Sequence, residues 1–367
     1  MKITLSVIKA DIGSIGGHEC PSQAVYETVK DYIEKNSQGL LIDYFQTFLG
    51  DDIALLMTHT KGEENSDIHK LAWDSFKAGT EVAKKQGLYG AGQDLLKESF
   101  SGNVKGMGPG VCEMEIEERP NEPFVFFQAD KTDPGAFNLP LYLSFADPMY
   151  SPGLFISKSM RKGFEFTVMN VYHTEGDKIV TLKAPEELYS IAVLLRDLET
   201  YVIESVHSRD NGEIAAVVST SRLHNIAGTY VGKDDPVALV RAQKLFPDTG
   251  EILSPYAIGY FVAGDNRGSH NTPLMPIKTK STVAYFDGPA CVSALGFCVH
   301  EGKLTEPVDL FDHPVWERVR SKISDKAIEL RKQGFFGAAM LGMNELEYTE
   351  IVDHIKELDS RFKVRNK

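Results

Sequence analysis

The sequence predicts an α+β fold, in which strands pair as hairpins and a few long helices cover the sheets. Strand-like runs stand next to each other, as at 40–49 and 53–60, whereas long helical patterns are few. Strands and helices do not alternate strictly, so a layered sandwich is favoured over a doubly wound parallel sheet. The chain has no Pro/Gly/Ser-rich linker and no internal repeat, and we therefore expect residues 1–367 to form a single domain.

Hydrophobic periodicity assigns the elements in chain order. Residues 3–9 alternate apolar and polar side chains, as a strand does. In 21–36, Val25, Val29 and Ile33 recur at helical spacing and predict an amphipathic helix. The other predicted strands are 40–49, 53–60, 111–118, 124–129, 139–146, 164–173, 178–184, 200–207 and 214–220. The other predicted helices are 66–86, 186–198, 236–245, 313–332 and 345–359.

Composition excludes some classes of function. The chain has 42% hydrophobic residues, enough for a substantial core, and a formal net charge of −13. An acidic chain without a basic arm or patch is a poor nucleic-acid binder, so we expect no nucleic-acid partner. Part of the acidity is explained if carboxylates are gathered to hold cations.

The first residues of the chain, its apolar stretches and its cysteines indicate where in the cell the protein is expected. The start, Met1–Ile8, lacks the apolar run and cleavage site of a signal peptide, and no apolar stretch is long enough for a membrane span. We therefore expect a cytoplasmic protein without a membrane partner. The cysteines form no CxxC pair, which favours buried free thiols over a structural zinc site; they are Cys20, Cys112, Cys291 and Cys298.

Aspartates recur where predicted strands end or loops begin, and they are Asp11, Asp51, Asp52, Asp130, Asp234 and Asp235. Acidic side chains at strand ends can converge on one side of a layered sheet, as in oxygen-rich Mg²⁺ sites. His18 follows Asp11 across a glycine-rich loop and is a candidate for the same ion. Any one of these positions is also explained as a solvated turn, and His18 as a hydrogen-bonded core residue.

The segment Gly228–Pro236 carries an amine, a phenol and two carboxylates, on Tyr230, Lys233, Asp234 and Asp235. A lysine attacks a carbonyl only as the neutral amine, and neighbouring carboxylates oppose this by favouring the ammonium. A cation bound to the aspartates removes the conflict, so the segment predicts a site for both a carbonyl and a metal ion. The alternative is a helix start at 236–245, capped by Asp235.

Gly87–Asp94 is a glycine loop that opens a short helix. It lacks the third glycine of a dinucleotide fingerprint and no strand directly precedes it, which excludes a Rossmann site. Backbone N–H groups at such a turn suit a phosphate, and the Gln93 amide oxygen suits a metal ion. Lys131 and Arg267 offer charges for phosphate groups. A plain surface loop and solvated surface charges are the alternatives.

Taken together, these motifs resemble those of the bifunctional fructose-1,6-bisphosphate aldolase/phosphatase family of archaea and some deep-branching bacteria, the class V fructose-1,6-bisphosphatases. The resemblance runs from Met1 to at least Tyr348. It implies a four-layer α-β-β-α sandwich, a homo-octamer, and several Mg²⁺ ions in the active site. It also implies a gluconeogenic enzyme, which condenses two triose phosphates to fructose 1,6-bisphosphate and then hydrolyses the 1-phosphate to give fructose 6-phosphate.

The resemblance further implies the residues of the site. Lys233 would form a Schiff base with dihydroxyacetone phosphate, Tyr230 would move the proton of the aldol step, and Asp11 would be the base for the phosphatase water. The residues implied to hold Mg²⁺ are Asp11, His18, Asp51, Asp52, Gln93, Asp130, Lys233, Asp234 and Asp235. Those implied to contact sugar or phosphate are His18, Tyr89, Gly102, Asn103, Lys131, Gln243, Arg267, Asp287 and Tyr348.

Two other functions stay open from the sequence. One is a Mg²⁺-dependent sugar phosphatase without aldolase activity, in which Lys233 only contacts phosphate. The other is a noncatalytic protein that binds cations or phosphorylated metabolites. Trapping of Lys233 by borohydride in the presence of dihydroxyacetone phosphate separates the first from the bifunctional enzyme, and phosphate release under Mg²⁺ excludes the second.

Overall fold

The computed structural model describes residues 1–95, 108–173, 176–220, 234–266, 270–282, 289–332 and 350–365. The longer strands are β1 Lys2–Asp11, β2 Asp43–Leu49, β3 Asp52–His59, β4 Gly110–Glu117, β5 Glu122–Asp130, β6 Phe164–Asn170, β7 Asp177–Lys183, β8 Tyr201–Ser208, β9 Ile214–Val218, β10 Val237–Arg241 and β14 Cys291–His300. The shorter ones are β11 Phe261–Asn266, β12 His270–Pro273, β13 Met275–Pro276, β15 Lys303–Leu304, β16 Val308–Asp309 and β17 Lys363–Arg365. The helices are α1 Gln23–Asn36, α2 Ser66–Gln86, α3 Asn138–Ala146, α4 Gly153–Ile156, α5 Leu188–Leu195, α6 Thr249–Leu253, α7 Val315–Lys332 and α8 Glu350–Asp359.

The smaller sheet has the strand order β2-β3-β1-β4, with antiparallel neighbours throughout. One face of it carries α1 and α2. Helix α1 begins where the Ser22 hydroxyl accepts a hydrogen bond from the Val25 backbone N–H at 3.2 Å. Helix α2 ends at Gly87, whose φ of 64° lies in the left-handed region that suits a C-terminal glycine. Ile8, Ile53 and Phe76 are among the buried residues that join this sheet to its helices.

The larger sheet runs β13-β14-β5-β10-β9-β8-β6-β7-β17 among the described residues, and β15 and β16 pair with β14. Strand β13 is parallel to β14, and the pairs around β5 are antiparallel. Its outer face packs against α3, α5 and α8 through the largest core, which includes Phe145, Phe164 and Ile191.

The inner faces of the two sheets pack on each other through a second apolar core. Leu5 and Leu56 come from the smaller sheet, and Phe126, Leu239 and Leu295 come from the larger one. The layers are therefore helix, sheet, sheet and helix. The predicted four-layer α-β-β-α sandwich is confirmed.

Two predicted elements are wrong. The run 139–146 was expected to be a strand and is helix α3. The segment 236–245 was expected to be a helix and contains strand β10, so the interpretation of Asp235 as a helix cap is also wrong. Helix α3 and strand β10 are short, mostly apolar runs that are almost entirely buried, and for such runs periodicity does not separate strand from helix. The long strand β14 had no counterpart in the sequence prediction.

The remaining expectations about the chain concern thiols and membranes. All the cysteines are free, and Cys112 and Cys291 are buried, as predicted. Among the described residues, no helix combines the length and the apolar character that crossing a bilayer requires.

Candidate active site

Side chains alternate between the two faces of a strand, and this alternation positions the residues of the site. On β1, Ile3, Leu5 and Val7 point into the core between the sheets, and Lys9 and Asp11 follow them on the same face. The same alternation places Asp52, at the start of β3, on the strand face that carries Ala54 and Leu56, and it places Gln128 and Asp130 on β5 after Phe124 and Phe126. The layer between the sheets is therefore apolar in its middle and carries these charged and polar residues at one end.

A first group of ligands consists of Asp11, His18 and Asp51, each with one oxygen or nitrogen within 4.8 Å of the others. His18 Nδ1 lies 2.9 Å from Asp51 Oδ2. The ring of Tyr89 meets the His18 imidazole edge to face, with 4.8 Å between the centroids. Tyr89 is brought there because its backbone pairs with Ser14 in the loop after β1.

The glycine loop 87–94 supplies the wall beside Asp11. The Asp11 backbone N–H donates to Asp94 Oδ2 at 2.9 Å, which fixes the end of β1. Gly90 has a φ of +63°, and a Cβ at this position would lie 3.1 Å from Gln93 Oε1 and 3.7 Å from Asp11 Oδ2. The Gln93 amide oxygen and the Asp11 carboxylate therefore flank the same glycine.

A second group consists of Asp52, Asp130 and Asp235, whose carboxylate oxygens also lie within 4.8 Å of one another. Asp235 is held by two hydrogen bonds with Thr132: its backbone N–H donates to the Thr132 carbonyl at 2.8 Å, and its Oδ1 accepts from the Thr132 N–H at 2.7 Å. Asp130 is fully buried, and its Oδ2 has no hydrogen-bond partner among the described residues.

Two buried lysines lie among these carboxylates. Lys131 Nζ donates to Asp51 Oδ1 at 2.8 Å and to Asp130 Oδ1 at 3.1 Å, so it links the first group to the second. Lys9 Nζ donates to Asp52 Oδ2. Lys131 has a φ of 62° and Asp235 a φ of 53°. Residues other than glycine seldom adopt these backbone conformations, which tend to occur at functional sites.

Burial and crowding act on the acids of the site in different directions. Burial raises the pKa of Asp130 to about 7, with the charges of Asp51 and Asp52 adding to it and Lys131 opposing it. Burial and the same two charges hold the pKa of Asp11 well above its usual range. Burial also raises the pKa of Asp235, and the charges of Asp130 and Asp234 add to it.

Asp51 and Lys131 behave in the opposite way. Burial alone would raise the pKa of Asp51, but the Lys131 ammonium and the His18 hydrogen bond outweigh it and lower that pKa. Burial alone would lower the pKa of Lys131, but Asp130 and Asp51 outweigh it and raise that pKa. The two residues are therefore a charged pair, whereas Asp11, Asp130 and Asp235 have more negative charge around them than these lysines balance.

A divalent cation fits this arrangement. The donors are carboxylate oxygens with one imidazole and one amide, the set that hard cations such as Mg²⁺ and Mn²⁺ accept. A bound dication would coordinate the unpartnered Oδ2 of Asp130. It would also offset the negative charge that contributes to the raised pKa values of Asp11 and Asp235. Residues of both groups can hold such ions.

The family model for fructose-1,6-bisphosphatase matches residues 2–363. The chain belongs to this family. A relative from Thermus thermophilus, named fructose-1,6-bisphosphate aldolase/phosphatase, is 56% identical over 362 residues, which are 99% of this chain and 100% of the relative. Relatives of the same name from Methanothermobacter marburgensis and Metallosphaera sedula are each 48% identical over 99% of this chain, and the alignments cover 99% and 94% of those relatives.

Most of the predicted site residues that the structure describes come together in this fructose-1,6-bisphosphatase. They are Asp11, His18, Asp51, Asp52, Tyr89, Gln93, Asp130, Lys131 and Asp235, with Asp234 next to Asp235. Gln243 does not join them within one chain. It follows the far end of β10, eight positions from Asp235, and its backbone N–H donates to the Pro247 carbonyl at 3.0 Å. The predicted residues Gly102, Asn103, Tyr230, Lys233, Arg267, Asp287 and Tyr348 lie outside the described residues.

Sequence reasoning missed three residues of the site: Lys9, Asp94 and Gln128. The signal for Lys9 and Gln128 was present, because each continues the alternation of an apolar strand face that ends in a predicted aspartate. Asp94 gave no such signal, since its role depends on the loop 87–94 folding back onto β1.

Proposed function

We propose that the protein is a bifunctional fructose-1,6-bisphosphate aldolase/phosphatase that uses Mg²⁺. The observation that carries this proposal is the meeting of Asp11, Asp52, Asp130 and Asp235 at one end of the layer between the sheets. The names of relatives with about half of their residues identical support both activities. Triose phosphates and fructose 1,6-bisphosphate are the substrates.

The hydrolytic half needs a water nucleophile, a base and neutralised phosphate charge. Mg²⁺, when bound, supplies the charge neutralisation and polarises the phosphorus–oxygen bonds. The Asp11 carboxylate accepts a proton from the attacking water, and its location beside Asp51 and Asp52 supports this role. The water oxygen bonds to phosphorus, the bond between phosphorus and the C1 oxygen breaks, and that oxygen takes up a proton. In this proposal Lys131 binds the phosphate, and the position of its ammonium between Asp51 and Asp130 supports that role.

The aldol half is assigned to the segment just before Asp234. The Lys233 amine attacks the ketone of dihydroxyacetone phosphate, and loss of water gives an imine. Tyr230, as the phenolate, takes the proton from the neighbouring carbon. That carbon bonds to the aldehyde carbon of glyceraldehyde 3-phosphate, and the aldehyde oxygen takes up the proton from Tyr230 to become a hydroxyl. Hydrolysis of the imine releases fructose 1,6-bisphosphate. The sequence adjacency of Lys233 to Asp234 and Asp235 supports a shared pocket for both reactions.

Further parts of the proposal follow the family resemblance. The enzyme is a cytoplasmic homo-octamer of gluconeogenesis, and each chain is a single domain over residues 1–367. The apolar core that joins the two sheets supports the single domain.

The test is product analysis from dihydroxyacetone phosphate and glyceraldehyde 3-phosphate with Mg²⁺. We expect fructose 6-phosphate and inorganic phosphate to accumulate in equal amounts. Borohydride added with dihydroxyacetone phosphate should label Lys233, and the Lys233→Arg enzyme should escape labelling but still hydrolyse fructose 1,6-bisphosphate. Lys356→Arg, in the exposed face of α8, is the control. If the wild type hydrolyses the bisphosphate but forms no product from triose phosphates and is not labelled at Lys233, the protein is a phosphatase without aldolase activity.

A further inference from the structure

Lys9 is, like Asp130, a fully buried charged residue of the site. Its side chain has no exposed surface, although it lies on a strand whose preceding inward residues are Ile3, Leu5 and Val7. Lysine is almost never buried to this extent without a partner that repays the loss of hydration. The contacts of the Lys9 ammonium must therefore account for the burial of this charge at the end of an apolar strand face.

The Lys9 ammonium joins three strands that belong to both sheets. It donates to Asp52 Oδ2 on β3 and, at 3.2 Å, to the backbone carbonyl of Ala129 on β5. Ala129 directly precedes Asp130, so one side chain fixes the position of the Asp52 carboxylate relative to the strand that carries Asp130. Gln128 adds a second link between the sheets, because its Nε2 donates to the Asp52 carbonyl at 3.0 Å.

Within the described parts of the chain, one oxygen of each carboxylate of the second group is fixed by a hydrogen bond. Lys9 holds Oδ2 of Asp52, Lys131 holds Oδ1 of Asp130, and the Thr132 N–H holds Oδ1 of Asp235. A carboxylate fixed through one oxygen presents the other in a defined direction. The second oxygen of Asp130 is buried without a partner among the described residues, which is the state expected of an atom reserved for a ligand.

We propose that Lys9 is a positioning residue for metal binding, which orients Asp52 toward Asp130 and Asp235 without contacting the substrate. The proposal rests on the proposed function in that the bound ion is the one used for phosphate hydrolysis. Removing the ammonium frees Asp52 to rotate and breaks the link to Ala129. The loss of ligand geometry then outweighs the repulsion that a nearby ammonium exerts on a dication.

The test is calorimetric titration of the purified full-length protein with Mn²⁺, without substrate. We expect Lys9→Met to weaken Mn²⁺ binding by about 10- to 100-fold, the range found for residues that orient metal ligands. Lys9→Gln keeps a donor on a shorter side chain and should give an intermediate affinity. Lys2→Met is the matched control, because Lys2 lies on the same strand in an exposed ion pair with Glu115, and it should bind Mn²⁺ as the wild type does.

Unchanged or tighter Mn²⁺ binding by Lys9→Met would overturn the proposal, even if its melting temperature fell, since Lys9 would then serve packing alone. Should Lys9→Met fail to fold, Lys9→Gln decides by the same criterion. The proposed function fails separately, if the wild type neither binds Mn²⁺ nor releases phosphate from fructose 1,6-bisphosphate.

Discussion

Asp11 and Asp52 face each other directly across the antiparallel pair β1 and β3. Both residues are nearly fully buried, with relative exposures of 5% and 2%. Like charges opposite each other on neighbouring strands repel, and burial strengthens the repulsion. A bound cation would relieve this repulsion, so the register of one sheet brings together two of the acids that we propose hold a metal ion.

Removal of divalent metal should lower the stability of the protein. Asp11 and Asp130 are buried, Asp235 is half-buried and crowded beside Asp130, and a bound dication relieves the repulsion among them. At a Mg²⁺ concentration 100 times the dissociation constant, binding to the native state alone adds about 2.7 kcal/mol to the free energy of unfolding. Thermal denaturation in Mg²⁺ and in EDTA measures this difference. In Asp235→Asn the difference should shrink, and equal melting temperatures for the wild type would contradict the expectation.

Lys131 should be needed for hydrolysis. Its ammonium bridges Asp51 and Asp130, and its replacement by methionine leaves both carboxylates without their shared cation. We expect kcat/KM for fructose 1,6-bisphosphate to fall by about 100-fold or more, as when a preorganised charge partner is deleted from an active site. Lys131→Arg keeps the charge and should recover part of the rate. Steady-state kinetics of the three enzymes would refute the role if Lys131→Met matched the wild type.

His59 should make the protein less stable in mild acid. The ring is buried: Nδ1 accepts from the Lys61 N–H at 3.2 Å, and Nε2 lies 2.8 Å from Ser6 Oγ. Burial lowers the pKa of His59 to about 4. In the unfolded chain a histidine titrates near 6.5, so the unfolded state takes up the proton first and stability falls as the pH drops from about 6.5 to 4.

The corresponding experiment is urea denaturation at pH 7 and pH 5. The wild type should lose about 1–2 kcal/mol through His59, after allowance for solvent screening, and His59→Gln should not show this part of the loss. The neighbouring Glu113 has a lowered pKa, so its own contribution changes only below the pH range compared. An identical pH dependence of the two proteins would rule out His59 as the source.

Arg241 should be important for stability and unimportant for the reaction. It is buried at the end of β10 that is farther from Asp235. Its guanidinium pairs with Glu122 at 2.8 Å and with Glu213 at 2.9 Å. Arg241→Met leaves the buried Glu122 with Arg119 alone, and we expect a loss of about 3–5 kcal/mol in the free energy of unfolding. The kcat of the folded enzyme should stay at the wild-type value. A large fall in kcat without loss of stability would contradict this division.

The positions of the acids could be predicted from the sequence because aspartates that follow apolar strands converge when those strands share a layer. Asp52 and Asp130 belong to different sheets, yet each continues the inward face of its strand. The same alternation would have predicted Lys9, but a lysine before an aspartate was not distinguished from a surface residue. Its burial depends on the second sheet, which local pattern does not reveal.

The two wrong elements have a common physical cause. Val237–Arg241 pairs with β5 and β9 in the middle of the larger sheet, so both of its faces are buried and the sequence carries no alternation. Helix α3 is likewise apolar all round, and Asn138 fixes its start by hydrogen bonds to Leu195 and Tyr201 carbonyls at 3.2 and 2.7 Å. In both cases, contacts with residues distant in the sequence determine the secondary structure. The roles of Lys233 and Tyr230 stay predictions.

The central claim is that carboxylates from both sheets hold the metal ion that phosphate hydrolysis requires. The most direct measurement is the initial rate of phosphate release from fructose 1,6-bisphosphate as a function of Mg²⁺ concentration, for the wild type and Asp130→Asn. We predict that the variant needs about 10- to 100-fold more Mg²⁺ for half of its maximal rate, because we assign to the metal ion the buried Oδ2 of Asp130, which is unpartnered among the described residues. The same Mg²⁺ dependence and the same maximal rate in both enzymes would contradict the account.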